Sequence, residues 1–159
     1  MIAQRSELIL KNFVIVDSKV AITFPEDDQV EFNPIDVTDE LPVNINFEME
    51  KKNDEDFYRI MTYVKINDCD DKKPGYSILA TGIGFFKFPS DSNLDDNTKI
   101  QMLKTSGLSI CITNIRLFII NQTSYFPWGS FSFHAVDINS LLEDKQKQES
   151  DKQPERVTE

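Results

Sequence analysis

The chain is poor in the residues that most reaction chemistry uses. Its 159 residues include one histidine, two cysteines and five glycines. One histidine and two widely separated cysteines do not support a tetrahedral zinc site. Cys69 falls in an acidic turn and Cys111 in an apolar stretch, so a disulfide has no support either, and Cys111 reads as a small core hydrophobe. Glycine is too sparse for a phosphate-cradling loop: Gly82-Ile83-Gly84 lacks the third glycine and the helix start that should follow it. No serine or cysteine nucleophile is placed against His134, which reads as a structural or surface residue. Asp91-Ser92-Asn93-Leu94-Asp95 imitates the start of a calcium loop but lacks the sixth-position glycine and the terminal glutamate. With no nucleophile, acid–base pair or metal set to assemble, no enzyme, catalytic residue, metal or cofactor is expected.

Basic charge is also scarce. Lysine and arginine total 17 against 27 acids, a formal net charge of −10. A surface of that sign does not neutralise phosphates, which argues against nucleic acid and against anionic membranes. Long apolar runs are missing as well. Leu117 to Ile120 is too short to span a bilayer, so no membrane insertion is expected. The stretch MIAQRSELIL lacks an apolar h-region and a cleavage site, so no signal peptide is read and a cytoplasmic location is the default expectation.

What is present is enough for one domain: 40% of residues are hydrophobic. Residues 7–88 alternate with period two and are rich in β-branched and aromatic residues. Leu8 to Phe24 reads as one long strand, or two split near Asp17-Ser18. An irregular crossover with Pro34 follows over residues 29–40. Pro42 to Glu50 places Val43, Ile45, Phe47 and Met49 on one face. Phe57 to Asn67 and Tyr76 to Phe88 are the next strands, joined by a turn-rich loop over residues 69–75. Consecutive hairpins make the sheet antiparallel. Gly82 and Gly84 allow a bulge or a close approach.

Residues 98–121 carry β-branched residues, yet their polar positions recur at steps of three and four. Leu108, Ile112, Ile115 and Ile119 form one apolar stripe; Ile110, Leu117 and Ile120 form a second, which reads as an oligomer interface. Gly107 weakens an unbroken helix by about 1 kcal/mol of propensity. Asp137 is a good N-cap for a short last helix, with Ile138, Leu141 and Leu142 on one face, fraying near Glu143 and Asp144. Residues 1–144 therefore form a single domain, and 145–159 read as a disordered polar tail.

Between the helices, Gln122 to His134 reads QTSYFPWGSFSFH. It holds five aromatics, including the only tryptophan, and no charged residue. Pro127 and Gly129 stop it from continuing either helix. Phe131 and Phe133 alternate with Ser130, Ser132 and His134, the mark of a half-buried extended segment, so they either turn inward or join an exposed set.

This order resembles the SecB protein-export chaperones and their SecB-like relatives from about Leu8 to Leu142. Ala80-Thr81-Gly82-Ile83-Gly84-Phe85-Phe86 matches the end of the fourth strand. Gly107-Leu108, Arg116, Phe126-Pro127 and Val136-Asp137-Ile138 match the carboxy-terminal unit. The resemblance implies an α+β fold: a four-stranded antiparallel sheet with a long helix and a short C-terminal helix packed on one face. It implies a dimer or tetramer built through the long helices, and an ATP-independent holdase that binds unfolded or pre-export polypeptides in hydrophobic grooves. Carried over by position, the groove residues are Phe32 and Ile35 in the crossover and Tyr125, Phe126, Trp128, Phe131 and Phe133 in the aromatic stretch. The export chaperones also dock the SecA ATPase through acidic residues on the outer sheet face. Lys19, Thr23 and Leu79 stand at those places here, so that pattern is not evident. Relatives beside toxin–antitoxin pairs hold one aggregation-prone antitoxin, which makes a dedicated chaperone the alternative. A non-chaperone scaffold on the same fold is a third reading.

Overall fold

A computed structural model describes residues 5–25, 40–52 and 56–151. Strands β1 (Ile9–Thr23), β2 (Val43–Lys51), β3 (Phe57–Ile66) and β4 (Gly75–Lys87) form one antiparallel sheet in the order β1-β4-β3-β2. Among the described residues β1 and β2 are therefore the two edge strands. Helices α1 (Asp96–Met102) and α2 (Leu108–Thr123) are joined by one π-helical stretch, Leu103–Gly107, and α3 (Ile138–Asp151) ends the described chain.

β1 stays a single strand because it bulges. Its register against β4 shifts between Leu10 and Asn12 and again between Ile15 and Asp17. Each extra residue flips the alternation. Leu10, then Phe13 and Ile15, then Val20 and Ile22 thus all pack against the core despite their uneven spacing. Of the two readings the sequence left open, the single long strand is the one observed, because the bulge at Val16 re-phases the strand instead of ending it.

The core lies between one sheet face and the helices. Ile60, Val64, Ile78, Ala80 and Phe86 from the sheet meet Leu108, Cys111, Ile112, Ile115 and Ile119 from α2, all buried. Burial pushes the Cys111 thiol up to about 12, so it stays protonated at neutral pH. Gly84 permits this close approach. A Cβ there would lie 2.6 Å from Cys111 Sγ and 2.7 Å from Phe86 Cε2. Gly107 does not break the helix; it sits in the π-helical stretch, buried, where a Cβ would lie 2.9 Å from Ile60 Cδ1. By length and composition the run Asp96–Thr123 is apolar enough to cross a membrane, but one side of it forms this core.

Asp95, part of the calcium-like stretch, caps α1: its Oδ1 accepts from Thr98 N at 2.9 Å and its Oδ2 from Thr98 Oγ1 at 2.8 Å. Those bonds hold the Asp95 carboxyl below its ordinary value. Asp137 caps α3 as expected, accepting from Asn139 N at 2.9 Å and Ser140 N at 3.2 Å. That helix runs seven residues beyond the expected boundary, so 145–151 are helical rather than part of a polar tail. Lys145 explains the extension: its Nζ donates to Asn46 Oδ1 at 2.9 Å and lies 5.7 Å from the Phe47 ring centre. These bonds to β2 add to the anchorage by the half-buried Leu141 and Leu142.

Lys99, 8% exposed at its side chain, donates to Asp56 Oδ2 at 2.7 Å and ties α1 to the start of β3. The bond holds the Asp56 carboxyl below its usual value of 3.8 and the Lys99 ammonium above 10.5. The carboxylate's contribution to stability is present above 3.8 and lost as pH falls through its lowered value. The ammonium's contribution is present below 10.5 and lost as pH rises through its raised value. Asp56→Asn should therefore flatten the fall of melting temperature below about pH 4; parallel curves for variant and wild type would show that the pair is not formed. Gly84→Ala should cost about 1–3 kcal/mol in urea unfolding, and Cys111→Ala in the same chain should recover part of it. An additive pair of effects would rule out the proposed close contact.

Candidate functional site

The aromatic linker is held down by three polar anchors. Thr123, the last residue of α2 and fully buried, donates through Oγ1 to Ile119 O at 2.7 Å and accepts from Phe131 N at 2.8 Å. Tyr76, at the start of β4, donates its hydroxyl to Gly129 O at 2.6 Å. Arg116 of α2 donates from Nη2 to His134 O at 2.9 Å, and its guanidinium lies 4.8 Å from the Phe133 ring centre. These anchors satisfy backbone groups that no helix or strand satisfies. The turn itself closes through Gly129 N to Phe126 O at 3.0 Å, with Gly129 at φ 72°. Proline at the second turn position and a glycine at the left-handed position suit this geometry.

Around Tyr76 the anchors assemble an aromatic cluster. Its ring meets Phe126, Trp128 and Phe131 edge-on, with centroids 6.1, 5.9 and 5.7 Å away. Phe24, just past the end of β1 and 67% exposed, meets Trp128 edge-on at 5.4 Å. Burial raises the Tyr76 hydroxyl above its ordinary value of 10.0, so it remains a donor. A cleft of about 380 Å³ between β2, the linker and α3 is lined by Leu41, Val43, Ile45, Phe133, Val136 and Leu141 together with the polar His134, Asp137, Ser140 and Asp144.

The expected groove residues divide. Tyr125 is 88% exposed, and Phe126 and Trp128 are half-buried with their rings on Tyr76. Phe131 and Phe133, 2% and 5% exposed, are core side chains and not part of an open surface. Thr123 and Arg116 pull their backbone against the helix, and Phe133 reaches only the floor of the cleft. Phe32 and Ile35 lie outside the described residues. Tyr76 and Phe24 were not singled out from the sequence; Tyr76 in phase with Ile78 and Ala80 was the available signal for the first. On the oligomer stripe, Leu117 is 54% exposed, while Ile110 and Ile120 are half-buried.

On the opposite face of the sheet, Lys19 pairs with Leu79 and Leu79 with Lys65, and Thr23 pairs with Gly75. Two lysines thus flank Leu79 where the resemblance implied acids.

The strand order, the long helix, the aromatic linker and the capped last helix together make a SecB-like α+β fold. A SecB-like chaperone from Mycobacterium tuberculosis, solved in complex with a ChAD peptide from the HigA1 antitoxin, matches with a TM-score of 0.52 at 10% identity, over 82% of this chain and 91% of that one. A Streptococcus agalactiae protein of unknown function matches at 8% identity over 80% of this chain and 97% of that one, with a TM-score of 0.36 that carries no argument. No protein-family model and no curated protein sequence matches the chain.

Trp128, the only tryptophan, reports on the anchors. Thr123→Val leaves the Phe131 N–H buried without an acceptor and should cost about 1–3 kcal/mol; Tyr76→Phe should cost about 1 kcal/mol. Both should shift Trp128 emission to the red in the folded protein. Unchanged emission with unchanged stability would show that the linker is held by other means.

Proposed function

We propose that this chain is an ATP-independent chaperone that holds unfolded polypeptide segments on the aromatic cluster and in the adjoining cleft. The observation that carries the reading is the half-open aromatic set of Phe24, Trp128 and Phe126 on Tyr76, with a cleft of mixed apolar and polar lining between β2 and the linker. Such a surface binds varied apolar side chains with few rotors to order. It carries no arrangement for bond-making chemistry, so the proposed role is binding without turnover. The net charge of −10 keeps a protein with exposed aromatics soluble. The exposed Leu117 beside half-buried Ile110 and Ile120 supports self-association through α2 into a dimer or tetramer. A cytoplasmic location belongs to the same proposal.

The second reading is a dedicated chaperone for one aggregation-prone partner such as an antitoxin. The row Lys19, Leu79, Lys65 favours it over an export role, since a docking face for the SecA ATPase was expected to be acidic there.

Purified protein should suppress the aggregation of heat-unfolded citrate synthase and bind reduced, carboxymethylated α-lactalbumin. Phe24→Ala with Trp128→Ala should weaken α-lactalbumin binding about tenfold or more, since each ring offers about 1.5–3 kcal/mol of burial. Normal client binding by a folded double variant would remove the cluster from the site. Failure of the wild-type protein to bind any unfolded client would remove the chaperone reading.

A further inference from the structure

The ladder between β3 and β4 stops short of Tyr76. Its last pair is Ile66 with Ile78, whereas β4 begins at Gly75 and pairs with β1 as far as Thr23. The ladder thus contains no β3 partner for Tyr76 and Ser77, and one residue takes that place. Asn67, fully buried, sits at φ 52°, in the left-handed region that asparagine tolerates better than most residues. Its Nδ2 donates to Tyr76 O at 3.1 Å and to Lys73 O at 2.8 Å. Its Oδ1 accepts from Lys73 N at 3.0 Å, and its backbone carbonyl accepts from Ser77 Oγ at 3.2 Å.

These bonds reach both parts of the candidate site. Tyr76 carries the edge-on rings of Phe126 and Trp128 and donates its hydroxyl to Gly129 O. On the other side, Asn67 N donates to Pro42 O at 2.9 Å, between Leu41 and Val43 of the cleft lining. Lys73, held by the Asn67 amide, donates through Nζ to Glu40 O at 3.2 Å. The hairpin tip from Asp68 to Lys73 is itself exposed, so the bonds support no core beneath it. What they fix is the base of the hairpin, where Tyr76 and Pro42 meet. A left-handed residue other than glycine persists where its surroundings over-determine it, and a fully bonded buried amide does so here.

We propose that Asn67 is a positioning residue of the client site: by fixing the backbone of Tyr76 against Pro42, it keeps the aromatic cluster pre-organised and in constant relation to the cleft. This rests on the chaperone reading and deepens it. Asn67 is buried and touches no client; it acts through Tyr76. Rings held in place before a client arrives lose less freedom when it binds, so loosening their support weakens binding as well as the fold.

The test uses the full chain. Asn67→Gly keeps the left-handed backbone and removes the side-chain amide. It is compared with wild type and with Asp95→Ala, which lowers the melting temperature by removing the α1 cap and lies outside the cluster and the cleft lining. At a temperature where all three are folded, Trp128 emission is recorded, and binding of fluorescein-labelled carboxymethylated α-lactalbumin is read by anisotropy. Asn67→Gly should shift the emission to the red and weaken binding about fivefold or more, while Asp95→Ala leaves both unchanged. Unchanged affinity in folded Asn67→Gly overturns the role, with or without an emission shift. An equal loss in Asp95→Ala overturns it too, because lowered stability alone would then account for the effect. If Asn67→Gly does not fold, Ser77→Ala, which removes only the bond to Asn67 O, makes the same comparison in milder form. A loss of about threefold is then expected, and no loss overturns the role. If wild type binds no α-lactalbumin, the chaperone reading falls and this role with it; wild-type binding that the variants leave intact overturns the role alone.

Discussion

The linker between the two main helices can lie flat on the sheet only because its backbone polar groups find side-chain partners. Residues 124–137 contain no regular ladder, and each buried backbone group left without a partner would cost about 1–3 kcal/mol. Thr123 Oγ1 takes the Phe131 amide, the Tyr76 hydroxyl supplies the Gly129 carbonyl, and Arg116 supplies the His134 carbonyl. Two anchors come from α2, at its end and its middle, and the third from the start of β4. Once these bonds fix the linker, its rings have no freedom to collapse inward together. Phe131 and Phe133 go to the core, while Trp128 and Phe126 remain half-open on Tyr76.

That arrangement depends in turn on how closely α2 approaches the sheet. Gly84 leaves room for Cys111, and Gly107 leaves room for Ile60. With larger residues at either place, α2 would stand off, and Thr123 would no longer meet the Phe131 amide. The bulges of β1 serve the same geometry from the other side. They keep Phe13, Ile15, Val20 and Ile22 on the helix-facing surface of a strand 15 residues long. A regular strand of that length would have turned half of these residues to solvent.

The sheet was legible in sequence because β2, β3 and β4 alternate cleanly and are joined by short turns. The helical run was legible because its polar residues recur at three and four even where β-branched residues dominate. The bulges were not legible, since two single-residue insertions look like a broken pattern. The length of α3 was missed because Lys145 contributes through a hydrogen bond and a ring contact with β2, neither of which hydropathy records. At the site, Phe126 and Trp128 were found from the Phe-Pro stretch itself. The inward turn of Phe131 and Phe133 was left open, because alternation shows that one set is buried without saying which. Tyr76 escaped notice because a strand tyrosine reads the same whether its hydroxyl meets water or the Gly129 carbonyl.

Both edge strands of the described sheet show the same local chemistry. Asn12 accepts from Phe13 N on β1 at 2.9 Å, as Asn46 accepts from Phe47 N on β2 at 2.8 Å. An asparagine that caps the next amide removes one donor from the edge without the backbone disruption of a proline. On β2 a second helix reinforces the cap; on β1 no such bond from Lys145 exists, and the two bulges break the edge instead. Unguarded edges of this length, next to exposed aromatics, would pair with one another in an open-ended way. The asparagine caps and the bulges reduce that hazard on both edges. The net charge of −10 adds repulsion between separate molecules over longer range.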